Sequence, residues 1–591
     1  MADIIAKIAA IRAAIFGKDV RENIASGIES INAEVINTTT RQGTVEGKQA
    51  TLETTFNGLV INAGSSNAEI VAARNGEVSL PVRLAKVDTQ LADMAINVKN
   101  FGAKGDGVTD DTQAFKNSLI FASWKCGNVF VPPSDKGYLL SGDNINIPEG
   151  VTLYGVSNGH NGVWTGKVAG STLLITGNAT LENGNPVFIM NMGSEFKGLS
   201  IVYPNQTETN PPIAYPFLIR GLTSNCNDIL IENIFLYNCF QFADFSMAHQ
   251  RVAIKNIYGD VLKKGIIIDN CWDVDRIQDI HFWGYFSDGK TTEQQNALSI
   301  YRANNSVGIT LGKADGIQGD NIFMYGLNIG LLLGIEGRGC YGQITNLSLD
   351  ICTSGIRALA IGGQGLTING YEYAMNPTLQ IANGTAYTYP IVADYPSGLL
   401  QINNINSWGG GSTFLYVTST FGVSSGIVLN DIQINDLADD QLIVNNGLGK
   451  IIVANLRCIL NKNLVNSASN ASQVIFENPD VFKETYLGLV SPIIKKYADT
   501  RLATIPSSFS INIGKSKIIK LTGTATVENI IHSASIGDEL TIIVTNSIIF
   551  ANSLIYNLRL FQQFNATAND TLTLIFDGTN WLEKCRSVNI Q

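Results

Sequence analysis

Charge is scarce in this chain. Of 591 residues only 15% are Asp, Glu, Lys or Arg, and acids outnumber bases by 50 to 40, for a net charge of −10. No cluster of Lys and Arg offers a face that would neutralise phosphates, which argues against a nucleic-acid partner. Long apolar runs are also missing. The longest, around residues 329–335, falls far short of the roughly 20 residues that span a bilayer, so no membrane insertion is expected. Histidine occurs four times, as His160, His249, His281 and His532, and no HxxxH, HExxH or Cys/His spacing marks a zinc site. The eight cysteines are scattered without a CxxC pair, a pattern of reduced, buried thiols rather than a disulfide framework. Gly-rich loops at residues 158–162 and 409–412 carry no P-loop lysine, so phosphate cradling is not supported. No metal and no cofactor is expected. The N-terminus shows apolar residues at helical spacing and no cleavage site, so assembly in a cytoplasm is expected.

What the chain has is glycine, 57 of them, with abundant Asn and Thr, a mix suited to closely spaced strands and turns. Its length exceeds one compact core, and three or four folding units are expected. Three regimes follow along it. Residues 1–96 are expected to be a helical arm. Ile4, Ile8, Ile11 and Ile15 step by four, three and four; after a break near Gly17 the pattern resumes with Val20, Ile24, Ile28, Ile31 and Val35. A Thr-rich stretch runs to about Gly58, residues 64–67 mark a second break, and Leu84, Val87, Leu91 and Met94 form another stripe. So narrow a seam suits self-association into a trimer or other coiled-coil oligomer.

Residues 97–480 carry a degenerate repeat of the form apolar–x–Asn/Asp–apolar–x–apolar. Its polar position falls at Asn233, Asn256, Asp279, Asn346, Asn404, Asp431 and Asn455, with first gaps of 23 residues and a last gap of 24. A period of that size with strand-like alternation inside each unit predicts a solenoid of stacked coils. Asn tolerates the left-handed backbone better than other non-glycine residues, so these positions are expected at a sharp bend, their amides forming a ladder from coil to coil. Asp279 and Asp431 are therefore assigned to structure, and Gly198 marks an earlier coil. Residues 481–591 alternate as strands and include a hairpin signal, Asp577-Gly-Thr-Asn, predicting a small β-sandwich-like head that caps the last coil's open edge.

Residues 100–115, NFGAKGDGVTDDTQAF, stand where the arm gives way to strands. Gly102, Gly105 and Gly107 crowd one tight loop. Asp106, Asp110 and Asp111 can bind its amides, and Thr109 or Asp110 can cap a short helix carrying Ala114 and Phe115. As a string this segment resembles the opening of the pectate-lyase-like right-handed parallel β-helix of phage tailspikes and tail fibres. IRAAIFGKDVRENIASGIESIN (residues 11–32) and FNGLVINAGSSNAEIVAARNG (residues 56–76) resemble N-terminal attachment segments of tail-fibre and baseplate proteins from phages of Gram-positive bacteria. TLTLIFDGTNWLEKCRS (residues 571–587) resembles the C-terminal head of other phage β-helix proteins. The resemblance implies an all-β body with a helical arm, a homotrimer, and virion attachment through residues 1–96. It also implies action at a host cell surface, on a glycan or wall teichoic acid.

The densest candidate for chemistry is CWDVDRIQDIHFWGYFSDGK, residues 271–290, which resembles a mid-helix coil of other tailspikes without carrying assigned catalytic residues. A glycan site needs aromatic platforms and polar groups. Trp272, His281, Trp283, Tyr285 and Asp288 supply them and are read as substrate-binding. His281 follows the ladder position and should face outward, with Ile280 and Phe282 inside. Asp273 and Asp275, two apart, would share a strand face at roughly 6.6 Å, near the spacing of glycosidase carboxylates. Asp315 and Glu336 in the next coils could face the same groove, completing the catalytic candidates. The bland alternative is that Asp273 and Asp275 make turn hydrogen bonds and an ion pair with Arg276. A lyase arrangement would draw on Arg302, Lys313 and Asp315, but hydrolysis is favoured. Three readings stay open: a depolymerase, a non-enzymatic adhesin, and a structural baseplate component.

Overall fold

A computed structural model describes residues 2–13, 17–62, 72–125, 127–157, 170–221, 226–284, 291–375, 388–437, 441–458, 463–465, 473–477, 480–481, 493–495, 503–514, 516–532 and 534–588. The chain divides into two compact units, Met1–Met94 and Ala95–Gln591.

The first unit is helical: Ala2–Ala13, Lys18–Asn62 and Leu80–Met94. The Thr-rich stretch does not interrupt the middle helix, which runs 45 residues, roughly 67 Å at the usual rise. Thr39, Thr40, Thr44, Thr51, Thr54 and Thr55 turn their hydroxyls back onto the carbonyl four residues earlier, so their polarity is absorbed within the helix. The first two helices form a hairpin in which Ile8 and Ala25 are buried and Arg12 bridges Glu22 and Glu29. Much of the seam is open: Ile24, Ile31 and Val35 are exposed, as are Val45, Leu52 and Phe56 further along the helix.

The second unit is a parallel β-solenoid joined to a separate head. Strand pairing runs rung by rung between positions about one coil apart, as in Ile234↔Ile257, Ile257↔Ile280 and Ile280↔Ile322. The column continues through Leu347, Tyr371, Ile405, Ile432 and Leu456. Every member of it is at most 3% exposed, and each buried Ile or Leu stabilises the stack by roughly 1.5–3 kcal/mol. Before each of these residues the backbone enters the left-handed region, at Asn233, Asn256, Asp279, Asn321, Asn346, Gly370, Asn404, Asp431 and Asn455, with Gly198 in an earlier coil. The bend turns the chain from one sheet to the next. Side chains link the rungs: Asn256 donates to Asn233, Asn321 to Asp279 at 2.6 Å, and Asn455 to Asp431 at 2.9 Å. A parallel ladder joins Asn403 to Asn369 and Asn430 to Asn403, both at 2.7 Å.

The opening loop is built from its aspartates. Asp111 accepts from the amides of Lys104 and Gly105, Asp106 from Val108 and Thr109, and Asp110 from Thr112 and Ser141. The helix that follows is Thr112–Lys125, with Phe115 fully buried.

Among the described cysteines six are buried thiols outside any disulfide, and Cys585 is exposed. The body's parallel ladder reaches Ile493–Lys495, paired with the strand Val474–Glu477, beyond the boundary expected at residue 480. The head has its own core, centred on Trp581, Phe550, Leu540 and Leu572. It is of mixed topology: Ala503–Pro506, Ile518–Thr522 and Glu539–Val544 pair in parallel, and Thr571–Phe576 then pairs antiparallel with Trp581–Ser587. Asp577 closes that hairpin by accepting from Thr579 and Asn580.

Candidate functional site

The left-handed bends decide which side chains face outward. In the strand Arg276–Phe282, Ile280 and Phe282 are buried and His281 lies outside between them. Because coils stack in register, His281 has Tyr258 on one side and Phe323 on the other. The rings face each other, His281 with Tyr258 at 5.8 Å and with Phe323 at 4.6 Å between centroids. A second outward column runs beside the first: Trp283 lies 5.9 Å from His281 and 6.0 Å from Tyr325. All five rings are half-buried, so each keeps part of its surface open.

Further along the same face, aromatic side chains give way to acids. Phe323 pairs with Ser348 and Ser348 with Glu372; Tyr325 pairs with Asp350, Asp350 with Ala374, and Ala374 with Trp408. The Ser348 hydroxyl donates to Glu372 at 2.8 Å. Burial pushes the Asp350 carboxyl above its ordinary range, and the charge of Glu372 adds to the effect. The next residue, Ile351, holds a positive φ of 54°, a strained geometry for a β-branched side chain. Ala374 is the small residue between Tyr325 and Trp408 in this column, three rung steps apart or roughly 14 Å. The face therefore offers a line of aromatic edges and two carboxyl groups within one neighbourhood.

The structure does not gather residues 271–284 into one groove. Trp272 and Asp273 sit at the corner before the strand Arg276–Phe282, whereas His281 and Trp283 lie at and beyond its far end. Seven residues of strand, roughly 20 Å with a bend at Asp279, separate them. Asp273 and Asp275 do not share a strand face, because both lie in the preceding loop. Asp273 is half-buried and its partner is Arg251, at 2.8 Å, rather than Arg276; Arg251 also holds Asp228 at 2.6 Å. The Arg251 guanidinium keeps the Asp273 carboxyl below its ordinary range. Asp275 is fully buried, its oxygens taken by His249 and the amide of Val252.

Asp315 and Glu336 occupy the next two turns of that corner. Asp315 lies 3.5 Å from Lys313, whose ammonium rests 3.2 Å above the Trp272 ring. Glu336 is the most open of the four acids and reaches Arg338 at 3.7 Å, while Arg338 is held more closely by Asp269 at 2.6 Å. Arg302 is buried in the helix Thr292–Asn305 and donates to the carbonyl of Tyr325. The strand Val307–Leu311 separates it from Lys313, so the lyase arrangement is not assembled. Tyr285 and Asp288 lie outside the described residues.

Asp350, Glu372 and Trp408 were missed by sequence reasoning. The available signal was Asn369-Gly370, a left-handed bend of the same kind as the ladder, which would have placed Glu372 two residues later on an outward position.

Residues 95–331 match the family model described as rhamnogalacturonase A/epimerase, pectate lyase-like. A polygalacturonase of Arabidopsis thaliana, ADPG1, is 37% identical over 86 residues, 14% of this chain and 20% of that protein, so the chain spans about a fifth of that relative's length. Among solved structures, the pre-mature gene product 12 of bacteriophage phi29 is similar with a TM-score of 0.48 and 12% identity, over 81% of this chain and 66% of that one. The A-module of the mannuronan C-5 epimerase AlgE4 of Azotobacter vinelandii gives a TM-score of 0.40 and 13% identity, over 68% of this chain and 100% of that one. Residues 95–331 of this chain therefore form a pectate-lyase-like parallel β-helix, the fold that the rhamnogalacturonase A/epimerase family model describes.

Proposed function

We propose that this chain is a phage tail appendage that recognises a polymer of the bacterial surface, a capsular polysaccharide or wall teichoic acid, along the outer face of its β-helix. The observation that carries this reading is the outward column Tyr258–His281–Phe323 flanked by Trp283 and Tyr325. Ring edges repeated at rung spacing suit a polymer whose apolar sugar patches repeat along its length. Support for virion attachment comes from the resemblance of residues 11–32 and 56–76 to tail attachment segments. The open seam of the 45-residue helix supports packing of three copies. A homotrimer would present three equivalent faces, turning weak affinity per site into firm adhesion.

Cleavage is a second reading, favoured by Asp350. A carboxyl raised by burial is fitted to donate a proton to a leaving glycosidic oxygen, and the exposed Glu372 beside it is placed to act as base or nucleophile. Asp273, Asp315 and Glu336 at the corner are the competing carboxylates; Asp275, being enclosed, cannot touch a polymer.

The test uses the full chain with capsular polysaccharide and wall teichoic acid from a panel of Gram-positive strains, following binding, reducing ends and fragment size. Binding that weakens roughly tenfold in His281→Ala and Phe323→Ala supports the recognition face, a loss of about 1.4 kcal/mol. Fragments that vanish in Glu372→Gln and persist in Asp273→Asn assign the cleavage; the reverse moves it to the corner. No binding to any polymer would leave a structural baseplate component.

A further inference from the structure

At the corner of the solenoid, inward positions of successive coils stack as Cys226↔His249, His249↔Cys271 and Cys271↔Ala314. This column brings together the one group of three potential metal ligands among the described residues: His249, Cys271 and Asp275, all buried, with donor atoms within 4.8 Å of one another. The recognition face does not use them.

The hydrogen bonds fix how the imidazole and the carboxylate point, while the Cys271 thiol beside them donates to the carbonyl of Asp273. His249 Nδ1 lies 2.7 Å from the carbonyl of Met247, which can only accept, so Nδ1 carries a proton. That leaves Nε2 directed at Asp275 Oδ2, also at 2.7 Å. Asp275 Oδ1 accepts from the amide of Val252 at 2.7 Å, which orients the carboxylate. A nitrogen lone pair cannot face a carboxylate oxygen in a dry interior without a cation between them. The cation is either a proton or a metal. A backbone carbonyl holding the distal N–H is the support that metal-binding histidines have, and a thiol beside imidazole and carboxylate makes a mixed S/N/O donor set suited to zinc.

We propose that His249 Nε2, Cys271 Sγ and Asp275 Oδ2 bind a zinc-class divalent ion that pins two consecutive coils, a water completing the tetrahedron. Binding displaces the proton shared by Nε2 and Oδ2 and the thiol proton of Cys271, and both leave to solvent. Ligands on tetrahedral zinc sit roughly 3.4 Å apart, so the ring and carboxylate must part by roughly 0.7 Å from their hydrogen-bonded spacing. The ion would enter as the coils close during folding, coupling its affinity to stability. This inference is independent of what the outer face binds.

The experiment strips the purified full chain with a chelator, unfolds and refolds it with and without Zn²⁺, and counts bound metal. Expected are one zinc per chain, a raised unfolding temperature, and, with Co²⁺ in its place, a thiolate charge-transfer absorption that disappears in Cys271→Ser. Asp275→Asn should weaken zinc binding at least tenfold while the Co²⁺–thiolate absorption persists at saturating metal. Wild-type chain that refolds to the same unfolding temperature without taking up Zn²⁺ overturns the proposal, leaving a buried His–Asp pair. Zinc bound without a Cys271-dependent Co²⁺ absorption overturns it equally.

Discussion

Asn321 donates its side-chain amide to the carboxylate of Asp279 at 2.6 Å, although 42 residues separate them in sequence. Both residues hold a left-handed φ of 55°, so the ladder contact depends on both backbones paying the same conformational cost. Asn321→Gly should therefore cost little beyond one hydrogen bond, about 1 kcal/mol. Asn321→Val adds the left-handed penalty of a β-branched residue, a further 1–2 kcal/mol or about that. Thermal unfolding of the two variants checks the order; a Val variant as stable as the Gly variant would contradict the bend.

Gly259 follows Tyr258 in the aromatic column and has a φ of 120°, and an added Cβ would lie 1.9 Å from the carbonyl oxygen of Leu236. That backbone oxygen cannot move without breaking the rung. Gly259→Ala is expected to destabilise the body by several kcal/mol, on the order of a severe core defect, and to lower the yield of folded chain. The control is Gly363→Ala, where nothing lies within 4 Å of the added carbon.

The opening loop should be acid-sensitive. Amides of Thr109 and Val108 hold the Asp106 carboxyl down to about 2. For Asp110, burial pushes upward but is outweighed by hydrogen bonds from Ser141 and Thr112, and its carboxyl also lies at about 2. Depressed values mean that these groups stabilise the fold above the unfolded carboxyl range, about 3.9, and that this contribution is lost as pH falls through about 2. Unfolding temperature followed from pH 5 to pH 2 (roughly the window in which these carboxylates gain protons) should fall less steeply in Asp106→Asn/Asp110→Asn than in the wild type.

Asp350 has the opposite sign. Burial and then the Glu372 charge raise its carboxyl, so the ionised form is disfavoured in the fold and stability is lost as pH rises through the raised value. Asp350→Asn is expected to raise the unfolding temperature at neutral pH while abolishing any cleavage. If the chain is a depolymerase, its rate should decline on the alkaline side as the acid is lost. A variant that unfolds earlier than the wild type would place Asp350 in the structural class instead.

Trp408 tests the extent of the proposed recognition face. It shares an outward column with Tyr325 and Asp350, separated from Asp350 only by the small Ala374. Trp408→Ala should weaken polymer binding roughly tenfold, as expected for one lost aromatic contact. Equilibrium binding to an isolated polymer reads the change.

The sequence by itself determined the solenoid and much of its register, because the coil is a local device. A left-handed bend needs Asn, Asp or Gly, the residues around it must alternate, and both requirements recur wherever a coil passes the same corner. Asn321 escaped notice for a local reason: Gly319 occupies the apolar position that leads the repeat elsewhere, and the helix Thr292–Asn305 lengthens the gap before it. Tertiary structure alone decided which side chains meet across rungs. Loops of unequal length between strands set that pairing, so His249 finds Asp275 across 26 residues and Ser348 finds Glu372 across 24. For the same reason residues 271–284 do not form one surface. Neighbours along a strand are carried around a bend onto different sheets, while residues a full coil apart are pressed together by stacking, the contact on which both the candidate face and the buried ligand cluster depend.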